Sequence, residues 1–134
     1  MGVAEQIKRN EAVTAVEIED LRVAVGWDRF ENKYDKVLPN SYTHFTLREN
    51  NQLLAFVNVI SDGISDAFLV DLMVHPSVQR RGIGRALVGR AIGELTADGI
   101  RCIQVTFDVH LERFYRHCGF YIFKGGIIDN DEKQ

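Results

Sequence analysis

Residues 72–95 read LMVHPSVQRRGIGRALVGRAIGEL, and the fold follows from that stretch. An apolar strand is expected over residues 67–74, running into His75-Pro76. A polar loop follows at 77–81. Gly82-Ile83-Gly84 then opens a helical run of about fourteen residues. A strand, a glycine turn and a helix in that order aim main-chain N–H groups at an anion. The first turn of a helix leaves about four N–H groups without internal partners. The macrodipole adds about half a positive charge there, and the two effects together make a phosphate site. Gly82 and Gly84 lack a Cβ, so oxygen atoms can approach the backbone closely. Arg80, Arg81 and Arg85 add fixed positive charge around the turn. Two familiar phosphate loops do not fit. A Walker loop needs Gly-Lys-Ser/Thr, and Gly84 is followed by Arg85-Ala86. A dinucleotide fingerprint needs a third glycine three residues on, and that position is Leu87.

What remains is Gln79-Arg80-Arg81-Gly82-Ile83-Gly84, with Leu72-Met73-Val74 and Pro76 just upstream. This segment resembles the acetyl-CoA motif of the GNAT superfamily of N-acetyltransferases, Q/R-x-x-G-x-G/A. The alternative for the same residues is a plain surface turn that starts an ordinary helix.

The composition bounds the reading. The chain has 134 residues, 46% apolar and 26% charged, with only 2 prolines, which suits one domain with a sizeable core. No apolar run reaches the length of a membrane span. Residues 1–10 are polar and do not read as a secretory signal. Cys102 and Cys118 form neither C-x-x-C nor a metal spacing, so reduced, inert thiols in a cytoplasmic protein are expected. The net charge of −3 argues against non-specific nucleic-acid binding. The charge is uneven. Residues 79–101 carry five arginines against two acids, net +3, which suits a polyphosphate. Residues 11–35 carry seven acids against three bases, net −4, which suits a cation or is simply a solvated face.

In order along the chain, residues 11–16 read as a short first strand and 17–25 as a helix with Ile18, Leu21, Ala24 and Val25 on one stripe. Gly26 ends that helix. Residues 27–42 are irregular and aromatic. Residues 43–48 alternate as a half-buried strand. A hairpin turn at 49–52 leads to an apolar strand over 53–60, expected to be covered on both faces. After the helix that starts at Gly84, a strand is expected over 102–107, and its crossover from the preceding strand is parallel and right-handed. Residues 109–117 read as a short helix and 120–123 as another strand. Gly125-Gly126-Ile127-Ile128 is read as a final edge strand or hairpin, and the acidic tail from 129 as frayed. Gly89 and Gly93, inside the helix, are candidates for close packing on the sheet.

This order resembles the GNAT fold: an α/β (α+β) domain over residues 1–134 with a mixed, mostly antiparallel sheet and one parallel strand pair around a central helix. The resemblance implies acetyl-CoA as co-substrate, with Gln79, Arg80, Arg81, Gly82, Ile83, Gly84 and Arg85 at its pyrophosphate. Leu72, Met73 and Val74 would lie along its pantetheine. Phe114-Tyr115-Arg116-His117-Cys118-Gly119-Phe120 resembles the family segment F-Y-x-x-x-G-F, in which the tyrosine is the general acid. Tyr115 takes that role by position; a phenol is protonated at pH 7 and can give a proton to a departing thiolate. Its alternative is a core tyrosine.

Asp71 is the only ionisable residue in its strand, so it needs a partner. The resemblance makes it a candidate base for the acceptor ammonium; the alternative is a structural aspartate. Asp108 stands where the family often has Asn beside the cofactor amide. An ionised aspartate cannot donate there, so a cap on the following helix is the other reading. The four histidines show no H-x-x-x-H pairing, and no metal is expected. Trp27, Phe30 and Tyr34 are candidates for stacking on an acceptor ring or holding a cation. The expected activity is acetyl transfer to a primary amine of a small molecule by direct attack, with no nucleic acid and no membrane as partner. Protein acetylation and a non-catalytic CoA-binding domain are the rival classes, and the resemblance is compatible with a homodimer.

Overall fold

The computed structural model of the chain describes residues 2–31 and 33–131. Five strands form one sheet in the order β1-β2-β3-β4-β5: β1 Ile7–Arg9, β2 Thr43–Glu49, β3 Gln52–Ser61, β4 Asp66–Val74 and β5 Cys102–Val105. The first three junctions are antiparallel and the last is parallel, with Asp66 opposite Cys102 and Leu69 opposite Val105. The helices are α1 Val3–Gln6, α2 Ala15–Ala24, α3 Tyr34–Val37, α4 Ile83–Ala97 and α5 Glu112–His117.

Local chemistry explains the boundaries. Asn50 and Asn51 both have positive φ, at 50° and 64°, and so make the tight β2–β3 turn. β3 is buried over seven consecutive residues because both sheet faces are covered there. One face packs on α4 through Ile83, Leu87, Val88, Ala91 and Leu95. The other packs on α2 and α3 through Ile18, Leu21, Tyr34, Phe56 and Met73. Each such buried aliphatic side chain contributes about 1.5–3 kcal/mol, so the start of α4 is held firmly against the sheet. Arg9 reaches from β1 to Glu94 at 3.1 Å and to Asp98 at 2.7 Å, tying down the other end of α4.

Five expectations are corrected. The first strand lies at Ile7–Arg9, not 11–16. Asn10, at φ 58°, ends it, and Thr14 then starts α2 through a reciprocal capping box with Glu17, so the helix begins two residues before the expected 17. β5 stops at Val105, where its partner strand leaves it. Residues 109–117 split into a 3₁₀ turn, Val109–Leu111, and α5. Residues 120–128 form no strand, because among the described residues no strand lies alongside to complete a ladder.

Gly89 and Gly93 also differ from expectation: a Cβ at either would meet nothing within 4 Å. They face outward and serve no close packing on the sheet. Gly89→Ala and Gly93→Ala should therefore each stabilise the fold by about 1 kcal/mol, read as a higher denaturation midpoint with an unchanged urea slope.

Candidate functional site

The site is built where the parallel strand pair ends. β4 and β5 are paired only as far as Leu69 and Val105. Beyond that point β4 continues to Val74 bonded to β3 alone, so residues 70–74 present an open backbone edge. The same stretch is bulged. Val57 of β3 faces two residues of β4, and Asp71 takes a left-handed φ of 57°. The bulge turns Leu72 and Val74 toward the α4 side and Met73 toward α2.

Across this edge stands the start of α4. Gly82 is its N-cap with φ 77°, and no side chain caps the helix. Arg80 is also left-handed, at φ 67°. The first turn holds no acid and does hold Arg85, a cation at the positive end of a helix dipole. That placement is unfavourable in the protein alone and favourable once an anion sits there. The two glycines have different duties. At Gly82 a Cβ would find open space but an adverse φ. At Gly84 a Cβ would lie 3.4 Å from Phe114 and 3.5 Å from Val74, an ordinary contact.

The expected arginine set divides. Arg81 is bound to Glu49 on the β2–β3 turn, at 3.1 and 3.3 Å. Gln79 donates to the Val74 carbonyl at 2.9 Å, bracing the loop against the end of β4. Arg80 and Arg85 are exposed and form no ion pair with a described residue, so they are the cations available to a ligand. Asp108 is exposed, and its side chain does not cap the following turn, contrary to the capping alternative.

Tyr115 sits on α5 at the end of β5. Its ring stacks on Phe107 at 4.6 Å and meets Phe114 and Phe120 edge-on. The residue is only 5% exposed, and its hydroxyl has no hydrogen-bond partner among the described residues. Burial, and to a lesser degree the nearby Cys118, push its pKa up to about 12. Phe114, its neighbour, reaches Gly84 and so fixes α5 against the start of α4. The glycine turn before α4, the open β4 edge and Tyr115 are thus brought to one end of the sheet.

Asp71 is held from the opposite side. The Tyr34 hydroxyl donates to Asp71 Oδ2 at 3.0 Å, and Arg22 Nη1 lies 3.9 Å from Oδ1. Arg22 also donates to the Tyr34 hydroxyl at 3.1 Å and to the Asp28 carbonyl at 2.7 Å. The Trp27 and Phe30 rings each lie 5.3 Å from its guanidinium carbon. Tyr34 is completely buried, and burial together with Asp71 raises its pKa to about 12. Tyr34 therefore does not offer a face for an acceptor to stack on; it is a buried donor to Asp71. Trp27 and Phe30 hold a cation, but it is the protein's own. Arg22 is the residue that sequence reasoning missed. A single arginine on the helix that precedes an aromatic segment was the available signal.

The acidic segment is partly neutralised internally. Arg48 pairs with Glu11 at 2.7 Å and Glu17 at 2.5 Å, and Asp20 pairs with Arg29. The Arg48 guanidinium and the Thr14 amide lower the Glu17 pKa from 4.5 to about 2. A depressed carboxylate contributes stability above its unfolded pKa and loses it as pH falls. Acid unfolding should therefore draw on Glu17 between pH 4.5 and about 2. Glu17→Gln should cost about 1–2 kcal/mol at neutral pH through the cap and the pair. It should also flatten stability against pH in that window, as followed by circular dichroism.

Residues 9–120 match the model of the acetyltransferase (GNAT) family. The chain belongs to the GNAT family. It is 31% identical over 123 residues to an uncharacterized N-acetyltransferase of Gracilaria tenuistipitata, covering 88% of this chain and 68% of that one. A chloroplastic serotonin N-acetyltransferase of Oryza sativa is 34% identical over 67 residues, 50% of this chain and 34% of that protein. A GNAT-family acetyltransferase from Streptococcus pneumoniae superposes with a TM-score of 0.75 at 29% identity, over 94% of this chain and 98% of that one. A Staphylococcus aureus protein shares the fold with a TM-score of 0.80 at 21% identity, over 92% and 98% of the two chains. The GNAT chain is thus an acyltransferase with the mixed, mostly antiparallel sheet and single parallel pair. Among the described residues no cluster of His, Cys, Asp or Glu is placed to hold a metal ion. No described helix is long and apolar enough to cross a membrane.

Proposed function

We propose that this GNAT protein transfers an acetyl group from acetyl-CoA to a primary amine of a small molecule by direct attack. The observation that carries the reading is the convergence at one end of the sheet: an uncapped α4 with left-handed Gly82, an open β4 edge, and Tyr115 opposite. The residues present suit the co-substrate. Uncompensated Arg80 and Arg85 match its pyrophosphate, with Ile83 and Gly84 supplying main-chain N–H groups. The unpaired β4 edge at Leu72 and Val74, with Met73 buried between them, matches its amide-rich arm, and exposed Asp108 follows β5 in the chain. Gln79 and Arg81 hold the loop in shape. Acetyl-CoA supplies the thioester that the acceptor amine attacks, with no acyl-enzyme.

The chain's residues then have two proton tasks. Asp71, about one-third exposed, takes a proton from the acceptor ammonium directly or through water. Tyr34 and Arg22 hold it in place. Tyr115 Oη gives its proton to the departing sulfur. The acceptor is assigned an aromatic or apolar body, because the Asp71 side of the site is framed by Trp27 and Phe30 and because one relative acts on serotonin. The test is a panel of arylalkylamines, polyamines and lysine peptides incubated with acetyl-CoA, with products identified by mass. Transfer to small aromatic amines is expected. Transfer to peptides alone would replace the acceptor with a protein, and CoA binding without any product would remove the catalytic reading.

A further inference from the structure

Asp71 carries a strained backbone as well as a carboxylate. Among the described residues it is the only one inside a strand with a left-handed φ, 57°. An L-residue enters that region at a cost, and Asp and Asn enter it more readily than most. The strain sits at the bulge, and the bulge sets the phase of β4. Ala67 and Leu69 face α4, and after one inserted residue Leu72 and Val74 do so again. Without the insertion the alternation would bring Asp71 and Met73 to that face instead. The brace from Gln79 also lands on this stretch, at the Val74 carbonyl.

Beyond Leu69 the strand has no partner on the β5 side, so its ladder to β3 is the one main-chain restraint on the bulge. The extra residue of a bulge held from one side can move along the strand unless something fixes it. The Asp71 side chain supplies that restraint, because it is gripped from the helix layer on the opposite face. The Tyr34 hydroxyl donates to Oδ2 at 3.0 Å, and Arg22 Nη1 stands 3.9 Å from Oδ1. The grip is itself fixed. Tyr34 is completely buried against Phe30 and Phe56, with ring centroids at 5.6 and 6.3 Å. Arg22 donates to the Tyr34 hydroxyl at 3.1 Å and to the Asp28 carbonyl at 2.7 Å. With its pKa pushed up to about 12, Tyr34 stays a donor through neutral pH.

We propose that Tyr34, braced by Arg22, is a positioning residue for the co-substrate. Tyr34 holds the Asp71 side chain, the side chain holds the left-handed bulge, and the bulge presents the β4 edge that takes the amide-rich arm of CoA. The helices on the acceptor side thus shape the donor side through one residue. This rests on the reading of that edge as the CoA site, and it gives Asp71 a binding role beside its proton role.

Calorimetry with coenzyme A separates the backbone role of Asp71 from its carboxylate. Asp71→Gly removes the grip but takes a positive φ without strain, so affinity should stay within about twofold of the unaltered chain. Asp71→Ala removes the grip and keeps the strain. A smaller fraction of molecules then holds the competent edge, and affinity should fall at least about fivefold. Tyr34→Phe keeps the buried ring and removes the donor. It should weaken CoA about threefold or more by itself and have no effect beside Asp71→Gly, a rescue that a packing defect would not show. Should Tyr34→Phe fail to fold, the contrast between Ala and Gly at Asp71, about one-third exposed, decides alone. Equal affinities in the Asp71→Ala and Asp71→Gly variants would overturn the inference and leave the CoA site standing. So would a Tyr34→Phe effect that persists beside Asp71→Gly. An unaltered chain that binds no CoA would remove that site and the inference with it.

Discussion

Tyr115→Phe should lower turnover about 100-fold, leave the KM for acetyl-CoA nearly unchanged and leave the protein folded. The substitution removes one oxygen atom from a ring packed against Phe107, Phe114 and Phe120. No hydrogen bond to a described residue is lost with it, so the melting temperature should hold or rise slightly. General acids contribute about 10²–10⁴-fold. The lower end applies here, because a donor with a pKa near 12 is poorly matched to a thiolate whose conjugate thiol lies near 8.5. A factor of 100 corresponds to about 2.7 kcal/mol in the barrier. The pH profile gives an independent reading. The acid must be protonated, so Tyr115 imposes no basic limb until the pH approaches 12. Any fall in activity near pH 8 or 9 belongs to another group and should survive in Tyr115→Phe. Normal turnover in the folded variant, with chemistry shown to limit the rate, would return Tyr115 to the core and the proton to water.

Gly82→Asp should weaken CoA binding at least tenfold by calorimetry, while Gly84→Ala should change it by less than about threefold. The contrast is the point of the pair. Gly82 holds a left-handed φ that costs an L-residue about 1–2 kcal/mol, and aspartate would add like charge beside a pyrophosphate. Each 1.4 kcal/mol is tenfold in affinity, so strain and repulsion together exceed that threshold. Gly84 lies inside the first turn of α4 with an ordinary helical φ, and an added methyl meets Phe114 at 3.4 Å. Equal effects at the two positions, in folded proteins, would show that the turn is not shaped for a phosphate.

The central third of the chain was legible because its signals are local. Residues 43–97 alternate, turn and then repeat with helical period, and β2, β3, β4 and α4 all lie within a few residues of their expected limits. The ends were less legible. At residues 7–16 a capping box and a strand compete for the same short apolar pattern, and the strand forms where β2 offers a partner. At 120–123 the pattern is that of a strand, but a ladder needs a neighbour, and among the described residues no strand lies alongside. The site divides in the same way. The glycine turn, Tyr115 and Asp71 can be picked out as residue types at recognisable spacings. Their partners could not, because a side chain's neighbour across a sheet has no sequence spacing.

By itself, then, the sequence determined a glycine turn of the family's type between a strand and a helix, a parallel crossover, and a tyrosine in a segment that resembles the family's. Each rests on backbone preference or periodicity, which act over a few residues. Only the tertiary structure decided that Tyr34 is a buried donor to Asp71 rather than a stacking platform, that Arg22 is the cation between Trp27 and Phe30, and that Glu11 and Glu17 neutralise Arg48. It also decided that Arg81 is tied to Glu49 while Arg80 and Arg85 stay available. Those assignments turn on distances of 3–4 Å between residues far apart in the chain, and on how much water each group loses, and both quantities exist only once the chain has packed.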